Sequence, residues 1–484
     1  FVPPEEHIRA SLARFVSDEA GHPSTRRRLL ADDTNQGLAL LEIAEQKFDT
    51  IVMNPPFGEL SPEAKRRLTS TGVPKPLDAY AQFLYRASEL LAEHGRVGAL
   101  VSKTFLSHAE FEVTRRWLLS NVGAMRLMAE LGTGVLDAAV EVAAVVLAPG
   151  VPGEMTFVDL TETLDKSERL RQLVATPDQQ QVFHRRSEHF LGRAGAPLSY
   201  RLDSKVSAEL AQANTVRDIA EGLWGLFTAD DERFVRAWWE VAPASMETVW
   251  YPYAKGGAPQ GFFAEPMLVV NWSGNGAEIL SRRGDKGQVL ARAPNKECFG
   301  QRGFTYSSIS SSGLRVRPLN EGTIFSIKGP ALFPRVGPDD WLPMLELLNS
   351  AEVSYLLSTL SVNRSAELNY ALRISVPGGW RSHFSGDTAR RLSSLGQWVA
   401  SGSETSRYFS GYPIDRNIDN VVSPSTLDQL VTGLRDAGSA AYAQIGLSDT
   451  DTASFVFSRA HLPPSPPCDE HAIASYLVGC AFGR

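Results

Sequence analysis

Apolar positions in this chain follow two spacings, and the spacing changes along its length. Phe48–Met53 is a short apolar-rich run that stops abruptly at Asn54-Pro55-Pro56-Phe57, which predicts a buried parallel strand. Arg96–Lys103, Met125–Leu131 and the almost wholly apolar Ala138–Leu147 predict further strands. Between them the apolar positions recur at helical spacing. Phe83, Leu84, Ala87, Leu90 and Leu91 line one face of a helix expected over Asp78–Glu93 and broken at His94-Gly95. Phe111–Asn121 predicts another helix, as do Ile8, Leu12 and Phe15 over residues 4–19, and Leu38–Gln46. Residues 58–78, rich in Gly, Pro and Lys, read as a polar loop beside the first strand. Strands and helices in alternation predict a doubly wound α/β domain.

The pattern shifts near residue 200. Residues 222–335 are rich in Gly, Ser and aromatics, with short strand-like runs such as Met267–Trp272. Residues 341–361 and 383–450 read as mostly helical, and Pro463-Pro464-Ser465-Pro466-Pro467 as a stiff linker. The expected organisation is an α/β domain over residues 1–205, a mixed α+β domain over 206–395 and a mostly helical segment over 396–484. The chain starts at Phe1 and stops at Arg484 directly after the apolar Tyr476–Gly483 run. An internal fragment of a longer protein is the expectation.

Composition narrows the class. The chain has 484 residues with 43% hydrophobic content, ordinary for globular domains. No apolar run approaches the roughly 18 residues of a membrane span, and no signal peptide is visible. Cys298, Cys468 and Cys480 are too scattered for a disulfide framework, and no metal-ligand spacing is present. A reducing, cytoplasmic setting fits such free thiols. Net charge is −7. Residues 251–317 nevertheless carry nine lysines and arginines against four acids, a basic window in an acidic chain.

Chemistry concentrates at Asn54–Phe57. Ligands of open α/β sheets sit beyond the carboxyl ends of the strands. The tetrapeptide resembles the Asn-Pro-Pro-aromatic motif of amino-methyltransferases, above all the DNA adenine-N6 enzymes. An exocyclic amine is a poor nucleophile because its lone pair is delocalised into the ring. The Asn54 carboxamide oxygen and the Pro55 carbonyl are suited to accept its two N–H groups. Pro55 and Pro56 fix φ and remove competing donors, and the residue before a proline is held extended, which aims Asn54 out of the strand. Phe57 offers a face on which an extruded base can stack. A chance turn, Asn-Pro followed by a Pro-Pro strand stop, is the bland alternative.

Further stretches extend the resemblance. Asp78–Phe83 and Gly95–Lys103, in this order after Asn54–Phe57, resemble the second half of gamma-order DNA adenine methyltransferases. Gly225–Phe234, Trp238-Trp239, Tyr253–Gly257, Val269–Trp272, Phe304–Ser307, Leu347–Ser350 and Tyr476–Arg484 resemble the BREX-type PglX family and its type IIG restriction relatives. The resemblance implies a partial Rossmann-like methyltransferase domain followed by a target-recognition domain and a helical C-terminal segment. It implies S-adenosylmethionine as cofactor, double-stranded DNA as substrate and other phage-defence subunits as possible partners. The usual strand–glycine turn–helix unit for that cofactor is not found before residue 48, and its expected place is ahead of Phe1. Leu131-Gly132-Thr133-Gly134 is the nearest match within the chain. Asp33, or its neighbour Asp32, is the candidate for the cofactor's adenine amine, with a solvated helix cap as the alternative. Leu136 takes the place where such enzymes often carry a Phe against the flipped base. Lys255, Gln301, Arg302, Arg315 and Arg317 are the candidates for substrate DNA, with Asn271 and Asn275 beside them. Trp224, Trp238, Trp239 and Trp272 read as packing aromatics, and His94, His108 and His184 as polar surface positions.

Three readings stay open at this point: a DNA adenine-N6 methyltransferase in phage defence or restriction-modification, an amino-methyltransferase acting on protein glutamine or RNA, and a catalytically inactive DNA-recognition module that recruits a defence complex.

Overall fold

In the computed structural model, the apolar runs of the N-terminal part pair into one six-stranded sheet. The structure describes residues 4–19, 33–34, 36–37, 46–70, 78–120, 124–137, 140–148, 150, 153–176, 180–310, 312–361, 365–403, 406–409 and 424–462. The strands are β1 (Phe48–Met53), β2 (Leu91–Ser102), β3 (Met125–Gly132), β4 (Val142–Leu147), β5 (Met155–Asp159) and β6 (Val182–Arg185), in the order β1-β2-β4-β3-β5-β6. Parallel neighbours need a long crossover. Between β1 and β2 it contains the helices Pro62–Ser70 and Ala79–Glu89, and the two strands are parallel. Among the described residues no helix lies between β3 and β4, and that pair is antiparallel. The sheet is therefore mixed, with β4 running against both β2 and β3.

This register puts the functional segments at one end. Met53 pairs with Ala99, and Ser102 and Gly132 both pair with Val142. The carboxyl ends of β1, β2 and β3 and the amino end of β4 thus share one edge of the sheet.

Several expectations need adjustment. β1 is parallel as predicted but not buried: Val52 is 82% exposed. Among the described residues β1 pairs with β2 alone. The helix predicted to reach Glu93 stops at Glu89, and His94-Gly95 lies within β2. Gly95 marks a close approach, since a Cβ there would lie 2.7 Å from the Phe48 carbonyl oxygen. The expected loop over 58–78 contains the short helix Pro62–Ser70. Most of Leu38–Gln46, residues 71–77 and the 463–467 linker lie outside the described residues.

The chain divides into two compact units, Phe1–Phe105 with Glu110–Leu191, and Leu106–Ala109 with Gly192–Arg484. The second unit holds two four-stranded sheets and a set of helices. Its predicted 341–361 helix is two, Trp341–Leu348 and Ala351–Leu360, and Ser350 caps the second by accepting the Val353 N–H. Leu202, Val206 and Leu210 pack in the second unit's core. Leu430, Leu434, Tyr442 and Phe457 share that core with Leu345, Val353 and Leu356.

Candidate active site

β1 carries the chain to the sheet edge and delivers Asn54, which is exposed. Pro55 is buried and Pro56 exposed. Phe57 is half-buried and packs on an apolar cluster of Ala129, Leu131, Val142, Val158 and Leu160. Leu136 packs on the same cluster, so the structure brings Phe57 and Leu136 to one apolar patch.

The helix Ala79–Glu89 fixes the exit from this loop. Asp78 is its N-cap and accepts from the Tyr80 N–H. The same Oδ1 accepts the Gly58 N–H at 3.0 Å, and the Ala79 N–H donates back to the Gly58 carbonyl at 3.0 Å. Burial raises the Asp78 pKa despite the opposing Gly58, Tyr80 and Ala79 amides. Tyr80, fully buried, meets Phe57 edge-on at 5.9 Å between ring centroids and stacks on Phe111 at 5.5 Å. Burial, and then the neighbouring Asp78 charge, push its phenol well above the ordinary tyrosine range.

A second cluster closes the strand ends. Lys103, just past β2, places its ammonium 2.8 Å from Glu130 and 3.3 Å from Glu141. Its N–H also donates to the Glu141 carbonyl at 3.0 Å. Sequence reasoning assigned no role to Asp78, Tyr80, Lys103, Glu130 or Glu141. Two signals were present: an acid directly before a helical run is an N-cap pattern, and Glu130 interrupts an apolar strand.

The remaining predicted residues scatter. Asp33 is exposed in a short helical stretch, and Asp32 lies outside the described residues. Gly132 and Gly134 have positive φ, and a bend follows them rather than a helix. His94 and His184 are exposed. Among the described residues no group of three or more His, Cys, Asp or Glu side chains is placed to hold a metal ion, and no helix is long and apolar enough to cross a membrane.

In the second unit, Lys255 pairs with Asp231 and borders a cavity of about 320 Å³. Gln301 is exposed, with its amide on the Glu297 carbonyl at 3.2 Å, and exposed Arg302 lies 5.3 Å from the Trp341 ring centroid. Arg315 and Arg317 face inward instead. Arg315 donates to the Asn349 and Phe455 carbonyls, and Arg317 to those of Gly256, Ala258 and Gln260. Burial pushes both guanidinium pKa values down to about 10. Buried donors bound to backbone carbonyls hold loops together, so the geometry gives these two arginines an internal role rather than one on DNA. Trp272 is buried, whereas Trp224 and Trp239 are 43% and 50% exposed.

Residues 15–129 match the family model described as Eco57I restriction-modification methylase. The matched segment holds Asn54–Phe57, Asp78, Tyr80 and Lys103, while Glu130 and Glu141 follow it. Over 383 residues the chain is 24% identical to the adenine-specific methyltransferase PglX of Lacticaseibacillus casei (strain Zhang), covering 74% of this chain and 31% of the relative. Over 346 residues it is 25% identical to the adenine-specific methyltransferase BrxX of Escherichia coli O9:H4 (strain HS), covering 66% and 27%. The chain thus spans under a third of the length of these curated relatives. Among solved structures it is similar to the type IIL restriction-modification enzyme MmeI in complex with DNA, at 14% identity, with 84% of this chain and 56% of that chain covered and a TM-score of 0.49.

Proposed function

We propose that this chain is the catalytic-strand and target-recognition part of a DNA adenine-N6 methyltransferase. The observation that carries the reading is an exposed Asn54 at the carboxyl end of β1, followed within one turn of chain by Phe57 on the apolar patch that Leu136 shares. A target adenine leaves the duplex, at a cost of a few kcal/mol for unstacking, and lies against Phe57. Asn54 and the Pro55 carbonyl accept its two N6–H groups and draw the nitrogen toward a tetrahedral geometry. So held, the N6 lone pair is free to take up the methyl group that S-adenosylmethionine would supply, and one N6 proton would leave to solvent. Neither acceptor is a strong base, so the amine keeps its protons until attack begins.

S-adenosylmethionine supplies the methyl group on a positively charged sulfur. The sheet edge suits it, since strand carboxyl ends gather there and the acceptors beside it are uncharged. Asp33 is this chain's candidate contact for the cofactor's adenine amine. In the second unit, Lys255, Gln301 and Arg302 are the proposed contacts to double-stranded DNA, holding phosphates or reading bases. A cytoplasmic location in a phage-defence or restriction-modification setting, with other defence subunits as partners, completes the reading.

A second reading has one observation in its favour: a bend, not a helix, follows Gly132-Thr133-Gly134. Without a cofactor turn the chain acts as a DNA-recognition module. The experiment incubates the intact gene product with labelled S-adenosylmethionine and, separately, DNA, RNA and protein, followed by nucleoside and amino-acid analysis. N6-methyladenine in DNA is the expected product. Methylated glutamine or RNA moves the substrate assignment, and no transfer at all with intact DNA binding favours the recognition module.

A further inference from the structure

We propose that Asp78 is the positioning residue of the Asn54–Phe57 loop, its carboxylate fixing the peptide that directly follows Phe57. The inference rests on the reading of that loop as the holder of the target base.

Gly58 needs such a fixture. Its φ is +130°, and among the described residues no heavy atom beyond its chain neighbours lies within 4 Å of where a Cβ would stand. Glycine is the residue with most freedom to lose. Its position rests on hydrogen bonds. The Gly58 N–H goes to the Asp78 carboxylate at 3.0 Å, and the Gly58 carbonyl takes the Ala79 N–H at 3.0 Å. Both peptide groups of Gly58 are thus held by the first turn of the Ala79–Glu89 helix, 20 residues on in sequence. That turn also carries Tyr80, whose buried ring lies nearly perpendicular to that of Phe57, 5.9 Å away between centroids. One helix start therefore sets both the backbone after Phe57 and the lateral position of its ring. Asp78 does this with one oxygen shared between the loop amide and the helix amide of Tyr80. A helix cap alone requires only the second of these bonds.

The two roles make different predictions. A mere cap changes folding; a positioning residue changes the rate of a chemical step that depends on loop geometry, where a displacement of about 1 Å can lower the rate on the order of a hundredfold. The experiment uses the intact protein with S-adenosylmethionine and its DNA, and measures single-turnover methyl transfer, DNA and cofactor Kd, and the thermal midpoint. Asp78→Ala removes both bonds. Asp78→Ser keeps a good helix cap but is too short to reach Gly58 as well. Asp78→Asn keeps the acceptor oxygen. Asp165→Ala is the control, because Asp165 caps the Lys166–Ala175 helix in the same unit by accepting the Glu168 N–H at 3.0 Å.

The expected result is a roughly 10–100-fold lower single-turnover rate for Asp78→Ala and Asp78→Ser. DNA and cofactor Kd stay within about twofold, Asp78→Asn recovers most of the rate, and Asp165→Ala lowers the midpoint with the rate unchanged. If Asp78→Ala does not fold, Asp78→Ser alone carries the test. A wild-type rate in Asp78→Ser, or a loss in Asp78→Asn as deep as in Asp78→Ser, overturns the positioning role. Asn54→Ala in the same assay separates the two levels. If it retains full rate, the loop reading itself fails; if it is inactive while Asp78→Ser is normal, only the role of Asp78 falls.

Discussion

The ammonium of Lys103 lies 2.8 Å from the carboxylate of Glu130, and both side chains are almost wholly buried, Lys103 just past β2 and Glu130 near the end of β3. Removing one partner of such a pair strands the other charge away from water, which costs about 3–5 kcal/mol, whereas an apolar replacement of both is often tolerated. Lys103→Met is therefore expected to lower the urea-unfolding stability by that amount, and Lys103→Met combined with Glu130→Leu to recover most of it. A loss in the double variant equal to the sum of the losses in Lys103→Met and Glu130→Leu would show that the pair is not coupled.

Phe57 is half-buried, with the Tyr80 ring packed nearly perpendicular to it. Stacking of a base on an aromatic ring contributes about 1–3 kcal/mol. Phe57→Ala should lower kcat/KM by roughly 5–150-fold, with Phe57→Tyr close to wild type. Steady-state kinetics on a DNA substrate decides this, and an unchanged kcat/KM in Phe57→Ala removes the stacking role.

Arg302 and Arg317 should behave as opposites. Arg302 is exposed, and Arg302→Ala is expected to weaken DNA binding and reduce the slope of log K against log salt by about one if it holds a phosphate. Arg317→Met leaves the carbonyls of Gly256, Ala258 and Gln260 without their buried donor. Unsatisfied buried groups cost about 1–3 kcal/mol each, so this variant should lose stability instead of salt dependence. Filter-binding titrations at several salt concentrations, paired with thermal unfolding, separate the two.

His461 gives the second unit a pH dependence of known sign. Burial, and then the Arg315 charge, push its imidazole pKa down to about 4, and its Nδ1 accepts the Ser458 N–H at 3.0 Å. In the unfolded chain a histidine titrates near 6.5, so the unfolded state binds the extra proton first. The stabilising contribution of neutral His461 is therefore present above about pH 6.5 and lost as the pH falls toward about 4. His461→Asn removes the titration, so the stability gap between wild type and variant should shrink over that window in urea titrations at stepped pH. A gap independent of pH contradicts the assignment.

Much of this was legible in the residues because local rules and tertiary packing agree there. The strand that stops at Asn54-Pro55-Pro56-Phe57 and the helix face of Leu84 and Ala87 follow from hydrophobic period and proline geometry alone. What was not legible depends on partners distant in sequence. Val52 reads as core until the sheet shows β1 without a second neighbour among the described residues. Gly95 reads as a helix breaker until the Phe48 carbonyl is seen against it. Arg315 and Arg317 share the composition of the exposed basic residues around them, and only the fold supplies the carbonyls that accept their hydrogen bonds. Asp78 stood in plain view as a helix start, but its bond to Gly58 spans 20 residues and no periodicity encodes it.

The central claim is that Asn54 accepts an N6–H of a flipped adenine and so drives methyl transfer. The direct measurement is single-turnover methylation of DNA by Asn54→Ala in the intact protein, with N6-methyladenine counted by nucleoside mass spectrometry and DNA affinity measured alongside. The account predicts a rate lower by on the order of a hundredfold or more, as for removal of a single transition-state hydrogen bond elsewhere, with DNA affinity retained. N6-methyladenine formed at the wild-type rate by Asn54→Ala would contradict it.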